Sequence, residues 1–263
     1  MKPDLTYGGY LELETILGAQ RPRSGQHDEM LFIIIHQASE LWMKLSIHEL
    51  AAARDRIAAD DLPAALKMIA RVGRIQAQMI QSWDVLATLT PSEYRLIRPS
   101  LGQSSGFQSY QYRMLDLILG ARRAGPLAVH EATPEIHARL EEMLRQPSLY
   151  DEAIRLLARR GFAIDPAVLE RDWSQPHAPS PPVEAAWLAV YRDPERFWDL
   201  YELAEKLVDL EYRFQQWRFA HLKTVERIIG GKMGTGGSQG LAYLARVLKT
   251  QFFPDLLKVR TDL

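Results

Sequence analysis

Two histidines stand where side chains that bind and polarise small molecules would have to be. Leu203, Leu207, Leu210, Phe214, Trp217, His221, Val225 and Ile228 recur at steps of three and four, which places them on one stripe of one helix. His221 therefore occupies a position where the pattern asks for an apolar side chain. A neutral imidazole on a buried stripe must satisfy both ring nitrogens, because a lost hydrogen bond there costs on the order of 1–3 kcal/mol. One reading is a core histidine bonded to a neighbouring helix. The other is a metal ligand, most naturally the proximal ligand of a haem, with Phe214, Trp217 and Phe219 as flat apolar walls. Periodicity alone leaves both open. His36 poses the same choice. It follows Met30-Leu31-Phe32-Ile33-Ile34-Ile35, a run apolar on every side of a helix and so expected to be buried on every side, with Phe32 one turn earlier on the same face.

Two further features could hold a substrate. Tyr94 and Arg98 lie four residues apart and share a helix face, where a guanidinium and a phenol offer three donors to a carboxylate; a solvated surface pair is the plainer reading. Gly102-Gln103-Ser104-Ser105-Gly106 is a loop of small residues that lets backbone approach a flat ligand, or merely connects. The stretch Gly230 to Ser238 reads as a linker, a phosphate cradle or a lid; the phosphate reading is weak, since the stretch follows a helix and lacks the lysine-serine ending of a P-loop.

Several chemistries fall on spacing. No glutamate has a histidine three residues after it, as a di-iron carboxylate bundle requires, and His48-Glu49 lacks the second histidine of a zincin. A nucleophile elbow is absent, there being no strand to lead into one. A mononuclear iron triad of His36, Glu40 and His221 stays open. The 263 residues contain no cysteine, which removes disulfides, thiolate metal sites and covalent haem attachment. With 32 basic against 33 acidic residues the net charge is −1, so neither nucleic acid nor an anionic membrane is an expected partner. The start, Met1-Lys2-Pro3-Asp4, has no apolar signal core, and no membrane span is expected, so the expected location is cytoplasmic.

The elements that must position these residues all read as helices. A short one is expected from Tyr10 to about Leu17, and a long one capped by Asp28 and running to about Ala59. A third should run from Pro63 to about Ala87 with the stripe Leu66, Ile69, Val72, Met79, Trp83 and Leu86. Thr90-Pro91-Ser92-Glu93 is a capping box that opens the helix of Tyr94 and Arg98, and Pro99 stops it. Phe107 to Leu119 is closed by Gly120. Thr133-Pro134 and Pro147-Ser148 announce two more helices, the second ending at Gly161, and the proline-rich stretch Ser174 to Pro182 is an extended connection. Asp193-Pro194 should cap the helix of His221, and a last helix should run from about Leu241 to Gln251. No strand pattern is found. The expected fold is all-α, one helical domain over 1–263 with long bundled helices, a ligand pocket between them and an oligomeric assembly.

Phe32-Ile33-Ile34-Ile35-His36-Gln37 with Glu40-Leu41-Trp42, Leu89-Thr90-Pro91-Ser92-Glu93-Tyr94, Ser105-Gly106-Phe107-Gln108-Ser109, Trp217-Arg218 with His221, and Gly234-Thr235-Gly236-Gly237-Ser238 together resemble the tryptophan 2,3-dioxygenase family, in the family's order. The resemblance implies an all-α haem-b enzyme, a homotetramer, that inserts both atoms of O2 across the indole C2–C3 bond of L-tryptophan to give N-formyl-L-kynurenine. It implies that His221 is the proximal iron ligand, that His36 accepts a hydrogen bond from the indole N–H, and that Phe32 walls the indole pocket with Ile33, Ile34 and Ile35 beside it. Tyr94 and Arg98 match the pair that holds the substrate carboxylate, and Thr235 the residue at its polar end. Ser105, Gly106 and Phe107 match a segment lining the haem, and Trp83 a tryptophan near a propionate. Tyr7, Tyr10 and Leu11 resemble part of an N-terminal arm, residues 1–20, that docks in a neighbouring subunit's pocket. Ile97, where phenylalanine is expected, and Ile35, at a position often polar, depart from the pattern in ways that bear on pocket shape. A relative acting on another indoleamine would leave Arg98 unpaired if its substrate had no carboxylate, and a non-catalytic haem sensor is the alternative outside enzymes.

Overall fold

The computed structural model describes residues 5–123, 125–235 and 240–263. Gly236, Gly237 and Ser238 of the glycine-rich stretch lie outside the described residues. Helices α1 (Tyr7–Leu11) and α2 (Leu13–Leu17) precede the long α3 (Glu29–Ala58) and α4 (Leu62–Leu86). There follow α5 (Pro91–Ile97), α6 (Tyr110–Leu119), α7 (Pro134–Leu144), α8 (Leu149–Arg159), α9 (Pro166–Leu169) and α10 (Pro181–Arg192). The chain closes with the 31-residue α11 (Trp198–Ile228), α12 (Leu241–Val247) and α13 (Pro254–Lys258). No strand occurs among the described residues, so the chain is all-α.

The three long helices are built from the stripes that the sequence displays. On α4, Ile69, Val72, Met79, Trp83 and Leu86 are buried; on α11, Leu203, Leu207, Leu210, Phe214, Trp217 and Ile228 are. Helix α4 packs on α3 along one side and on α11 along the other, which puts it between the two histidine-bearing helices. Helices α6 and α8 cover α3, while α10 and α13 close the far end against α11. Buried apolar side chains from all these elements join in one cluster.

Local signals fix several boundaries. Thr90 Oγ1 accepts from Glu93 N and the Glu93 carboxylate accepts from Thr90 N, at 3.3 and 2.7 Å, which seats the first turn of α5. Ser148 and Asp151 do the same for α8. Gly120 ends α6 at φ +106°, a left-handed conformation that an L side chain resists.

Other expectations need correction. Asp193 does not cap α11: its carboxylate accepts from Arg196 N, and a turn over residues 194–197 carries the chain to Trp198, where the helix begins. Asp28 precedes α3 in a helical conformation without a side-chain cap bond, and Thr133 makes none for α7. The N-terminal helix is broken in two at Glu12, which sits at φ 52°. The α-helical part of α5 ends at Ile97, and Pro99 lies within a 3-10 turn, Arg98–Leu101, rather than beyond the helix. The last predicted helix ends at Val247, and α13 was not foreseen.

The start of α3 is also not buried on every side: Ile34 is 46% exposed and Met30 38%. Tyr7 and Tyr10, at 77% and 71%, stand in solvent on α1. Among the described residues the arm is tied down at its base, by the Gln20 amide to Gln37 and by Arg23 and Ser24 backbone amides to the Glu29 carboxylate. No helix among the described residues is long and apolar enough to cross a membrane.

Candidate functional site

His36 projects from the second turn of α3. Its Nδ1 lies 2.7 Å from the Phe32 carbonyl, and because a carbonyl only accepts, the proton is on Nδ1 and the Nε2 lone pair is left as an acceptor. Burial lowers the basicity of this ring, opposed by the Phe32 carbonyl and by the charge of Glu40. Phe32 packs on the same imidazole at 4.2 Å between ring centroids and reaches Tyr94 at 6.1 Å, so one aromatic ring separates the histidine from the phenol. Glu40 is engaged by Gln111, whose amide donates to its carboxylate and its carbonyl at 2.8 and 2.9 Å.

His221 comes from α11. Its pKa falls to about 4, first through burial and then through proximity to His36. The two imidazoles, 185 positions apart in the chain, are thus close enough to feel each other's charge. Trp83 of α4 stacks on the His221 ring at 4.6 Å and 6°, and Trp217 leans on it at 6.0 Å. His221 makes no hydrogen bond to a described residue. No trio of histidine, cysteine or carboxylate side chains among the described residues is placed to hold a metal ion, so the triad His36, Glu40 and His221 is not assembled.

Tyr94 and Arg98 do sit together. Burial raises the Tyr94 phenol, with Arg98 pulling the other way, and the group stays a donor near neutral pH. Arg98 donates to the Met233 carbonyl at 2.5 Å, and Thr235 Oγ1 donates to the Ser104 carbonyl. These two bonds lay the described start of the glycine-rich stretch across the 3-10 turn after α5 and the small-residue loop. Met233 and Ser104 escaped the sequence reading because they act through backbone carbonyls, which leave no trace in residue type. Gln111 was also missed; its only signal is a polar residue on the aromatic start of α6.

The remaining predicted residues divide. Ser105 caps the 3-10 turn Gly106–Gln108, accepting from Phe107 N, and Phe107 packs edge-on against Tyr243 at 5.3 Å. A side chain at Gly106 would meet nothing within 4 Å, so backbone there is open to approach. Ile35 packs on the core, Ile33 is half-buried and Ile34 is exposed. Tyr7, Tyr10 and the part-exposed Leu11 stand in solvent instead of being buried against their own chain. Ile97 is fully buried, so that departure acts on core packing and not on a pocket wall. Gly102 to Gly106 spells the glycine-x-serine-x-glycine string of hydrolases, but it follows a 3-10 turn instead of a strand, and Ser104 Oγ is bonded to the Leu101 carbonyl. A separate cavity of about 270 Å3 is lined by Arg171, which pairs with Asp151, and by His177, whose Nε2 lies 2.7 Å from the Asp255 carboxylate.

A haem can be tested against these residues. The indole N–H groups of Trp83 and Trp217 are buried without a hydrogen-bond partner, and His221 between them is a neutral imidazole with an unused lone pair. A flat macrocycle that takes one imidazole ligand and carries carboxylates suits that donor set, whereas a bare metal ion would need more ligands than are present.

The class this defines is an all-α protein with an imidazole pair flanked by an arginine–tyrosine clamp. A family model described as tryptophan 2,3-dioxygenase matches residues 1–190 and 185–263. The tryptophan 2,3-dioxygenase of Erythrobacter litoralis is 64% identical over 261 residues, 99% of either chain. Tryptophan 2,3-dioxygenase 1 of Ralstonia nicotianae is 60% identical over 259 residues, 98% of this chain and 88% of its own. That of Bacillus thuringiensis is 60% identical over 262 residues, 100% of this chain and 94% of its own. The chain belongs to the tryptophan 2,3-dioxygenase family, and it is an enzyme of the dioxygenase class.

Proposed function

We propose that this chain inserts both atoms of O2 across the indole C2–C3 bond of L-tryptophan, giving N-formyl-L-kynurenine, with a non-covalent haem b held by His221. The observation that carries this reading is the placement of Phe32 between His36 and Tyr94, which sets an indole-sized apolar wall between an imidazole acceptor and a carboxylate clamp. When bound, the haem supplies an iron centre at which O2 is activated.

Every other part belongs to the chain. His221 would hold the haem iron through a neutral ring nitrogen. Trp83, Ser105, Gly106 and Phe107 would help to hold the haem. Arg98 exchanges the Met233 carbonyl for the substrate carboxylate, and Tyr94 adds a phenolic donor. Thr235 donates its proton to Ser104, which leaves its oxygen as an acceptor for the substrate ammonium. These contacts fix the amino-acid end and so orient the ring. Nε2 of His36 accepts the indole N–H; that N–H is far too weak an acid for imidazole to remove outright, so the residue orients and polarises. Phe32, with Ile33 and Ile35 behind it, keeps water from the reacting bond.

Ile34, Met30, Leu41 and Leu45 leave an apolar stripe exposed on α3, and the arm with Tyr7, Tyr10 and Leu11 is exposed as well. These surfaces support association between copies of the chain; the reading takes that assembly as a homotetramer in which each arm covers a neighbour's site, and takes the cytoplasm as its location. An O2-consumption assay with L-tryptophan, run beside an absorption spectrum, tests the whole. The intact chain should show a Soret band that shifts on adding L-tryptophan and should consume O2, whereas His221→Ala should lose both band and activity. A normal Soret band in His221→Ala, or no O2 uptake by haem-loaded enzyme, would overturn the reading.

A further inference from the structure

Trp83 enters the site by its face. It lies in the last turn of α4, 8% exposed, with its ring parallel to the His221 imidazole at 4.6 Å and 6°. Trp217, one turn before His221 on α11, closes the adjacent side at 6.0 Å and 37°, and the two indoles touch at 5.9 Å. The imidazole is therefore set in a corner between two aromatic surfaces. His36 offers the contrast, since its ring is fixed by a bond from Nδ1 to the carbonyl one turn back. His221 has no such bond to a described residue, so among the described residues the contacts that bear on its rotation are the aromatic ones. Rotation about the histidine Cβ–Cγ bond is intrinsically broad. A coplanar indole lets the ring slide but resists tilting, and tilting is the motion that would swing the ligating nitrogen off axis.

We propose that Trp83 is a positioning residue for the proximal imidazole, its indole face fixing the plane of His221 and thereby the direction of the nitrogen that ligates haem iron. This rests on the reading of His221 as the iron ligand. It also differs from a role for the Trp83 N–H beside a haem carboxylate, because the face and not the nitrogen is the working part.

The test compares holoenzyme carrying Trp83→Leu, Trp83→Met or Trp83→Phe. Two quantities are measured: the rate of haem transfer to an excess of a haem-scavenging apoprotein, and the iron–histidine stretching band of the ferrous enzyme. Trp83→Leu and Trp83→Met should release haem roughly 2- to 12-fold faster, the size of an aromatic stacking contact, with a shifted or broadened band. Trp83→Phe keeps a flat face and loses the N–H, so it should keep the wild-type iron–histidine band and release haem more slowly than either aliphatic variant. Wild-type behaviour of Trp83→Leu, or of Trp83→Met should the leucine variant fail to fold, overturns the proposal. So does a Trp83→Phe as impaired as the aliphatic variants, which would assign the effect to the N–H. Retention of haem by His221→Ala would instead sink the ligand reading beneath it, and loss of haem there with unaltered Trp83 variants would sink this inference alone.

Discussion

Removing Arg98 should cost binding of L-tryptophan in an amount set by what the guanidinium gives up and gains. In the chain without substrate it donates to one neutral acceptor, the Met233 carbonyl at 2.5 Å. A carboxylate would take two charge-assisted bonds in its place. At about 1.5–3 kcal/mol for each charged bond, less about 1 kcal/mol for the neutral bond released, the difference is about 2–5 kcal/mol. Arg98→Ala should therefore lower kcat/KM for L-tryptophan by roughly 30- to 5,000-fold. The same substitution also frees the segment around Met233, and tryptamine separates the two effects because it has the indole and the amine but no carboxylate. With tryptamine as substrate the variant should fall by no more than about fivefold, the scale of one neutral hydrogen bond. Steady-state O2 consumption on both substrates reads the comparison. Equal losses would mean that Arg98 acts by holding the loop, and no loss on either would remove the clamp altogether.

His36 is expected to control the acid side of the pH profile. Its folded pKa lies below the usual 6.5 because burial disfavours the charged ring, so the folded state binds fewer protons than the unfolded state as pH falls below that value. Stability should decline there, and with it kcat/KM, since protonating Nε2 removes the acceptor for the indole N–H. His36→Asn, which accepts without titrating, should lose this acid limb; its persistence would refute the assignment. For the arm, Tyr7→Ala with Tyr10→Ala should leave the fold of the single chain intact, both side chains being mostly exposed, while raising KM. Mixing that variant with His36→Ala chains should restore activity through hybrid assemblies if arm and pocket come from different subunits. Wild-type kinetics in the arm variant, or no restoration on mixing, would place the arm elsewhere.

The long helices were legible because each displays its stripe over many turns, so single exceptions do not blur the period. The cap at Thr90 was legible because both partners lie within one turn, whereas at Pro147-Ser148 only the start of a helix was legible and not the capping box of Ser148 with Asp151. Asp193 misled for the opposite reason: an aspartate followed by proline opens a turn as readily as a helix, and here the turn intervenes. The apolar start of α3 was read as interior, yet a helix apolar all round signals contact all round without saying whose surface provides it, and Ile34 faces outward in the single chain. Asp255 shows a harder limit. It is fully buried by bonds from Tyr150, His177 and Ser180, partners 75 to 105 positions away, which no local pattern announces. At the site, the four-residue spacing of Tyr94 and Arg98 could be read directly, whereas the stacking of Trp83 on His221 depends on the register between α4 and α11.

That register is where fold and chemistry meet. Helix α4 is fastened to α3 by the ion pair of Arg71 with Glu49 at 2.6 Å, and to α11 by the Gln76 amide at the Leu210 carbonyl, 3.4 Å away. His36 rides on the first partner and His221 on the second, so the gap between the two imidazoles is set by a helix that carries neither. Sliding α4 by one residue would turn its apolar stripe by about 100° and carry Trp83 off the His221 ring. The buried stripe of α4 resists that slide with every apolar side chain it would have to expose. Core packing along α4 and the aim of the His221 imidazole are consequently the same constraint, expressed once as stability and once as geometry.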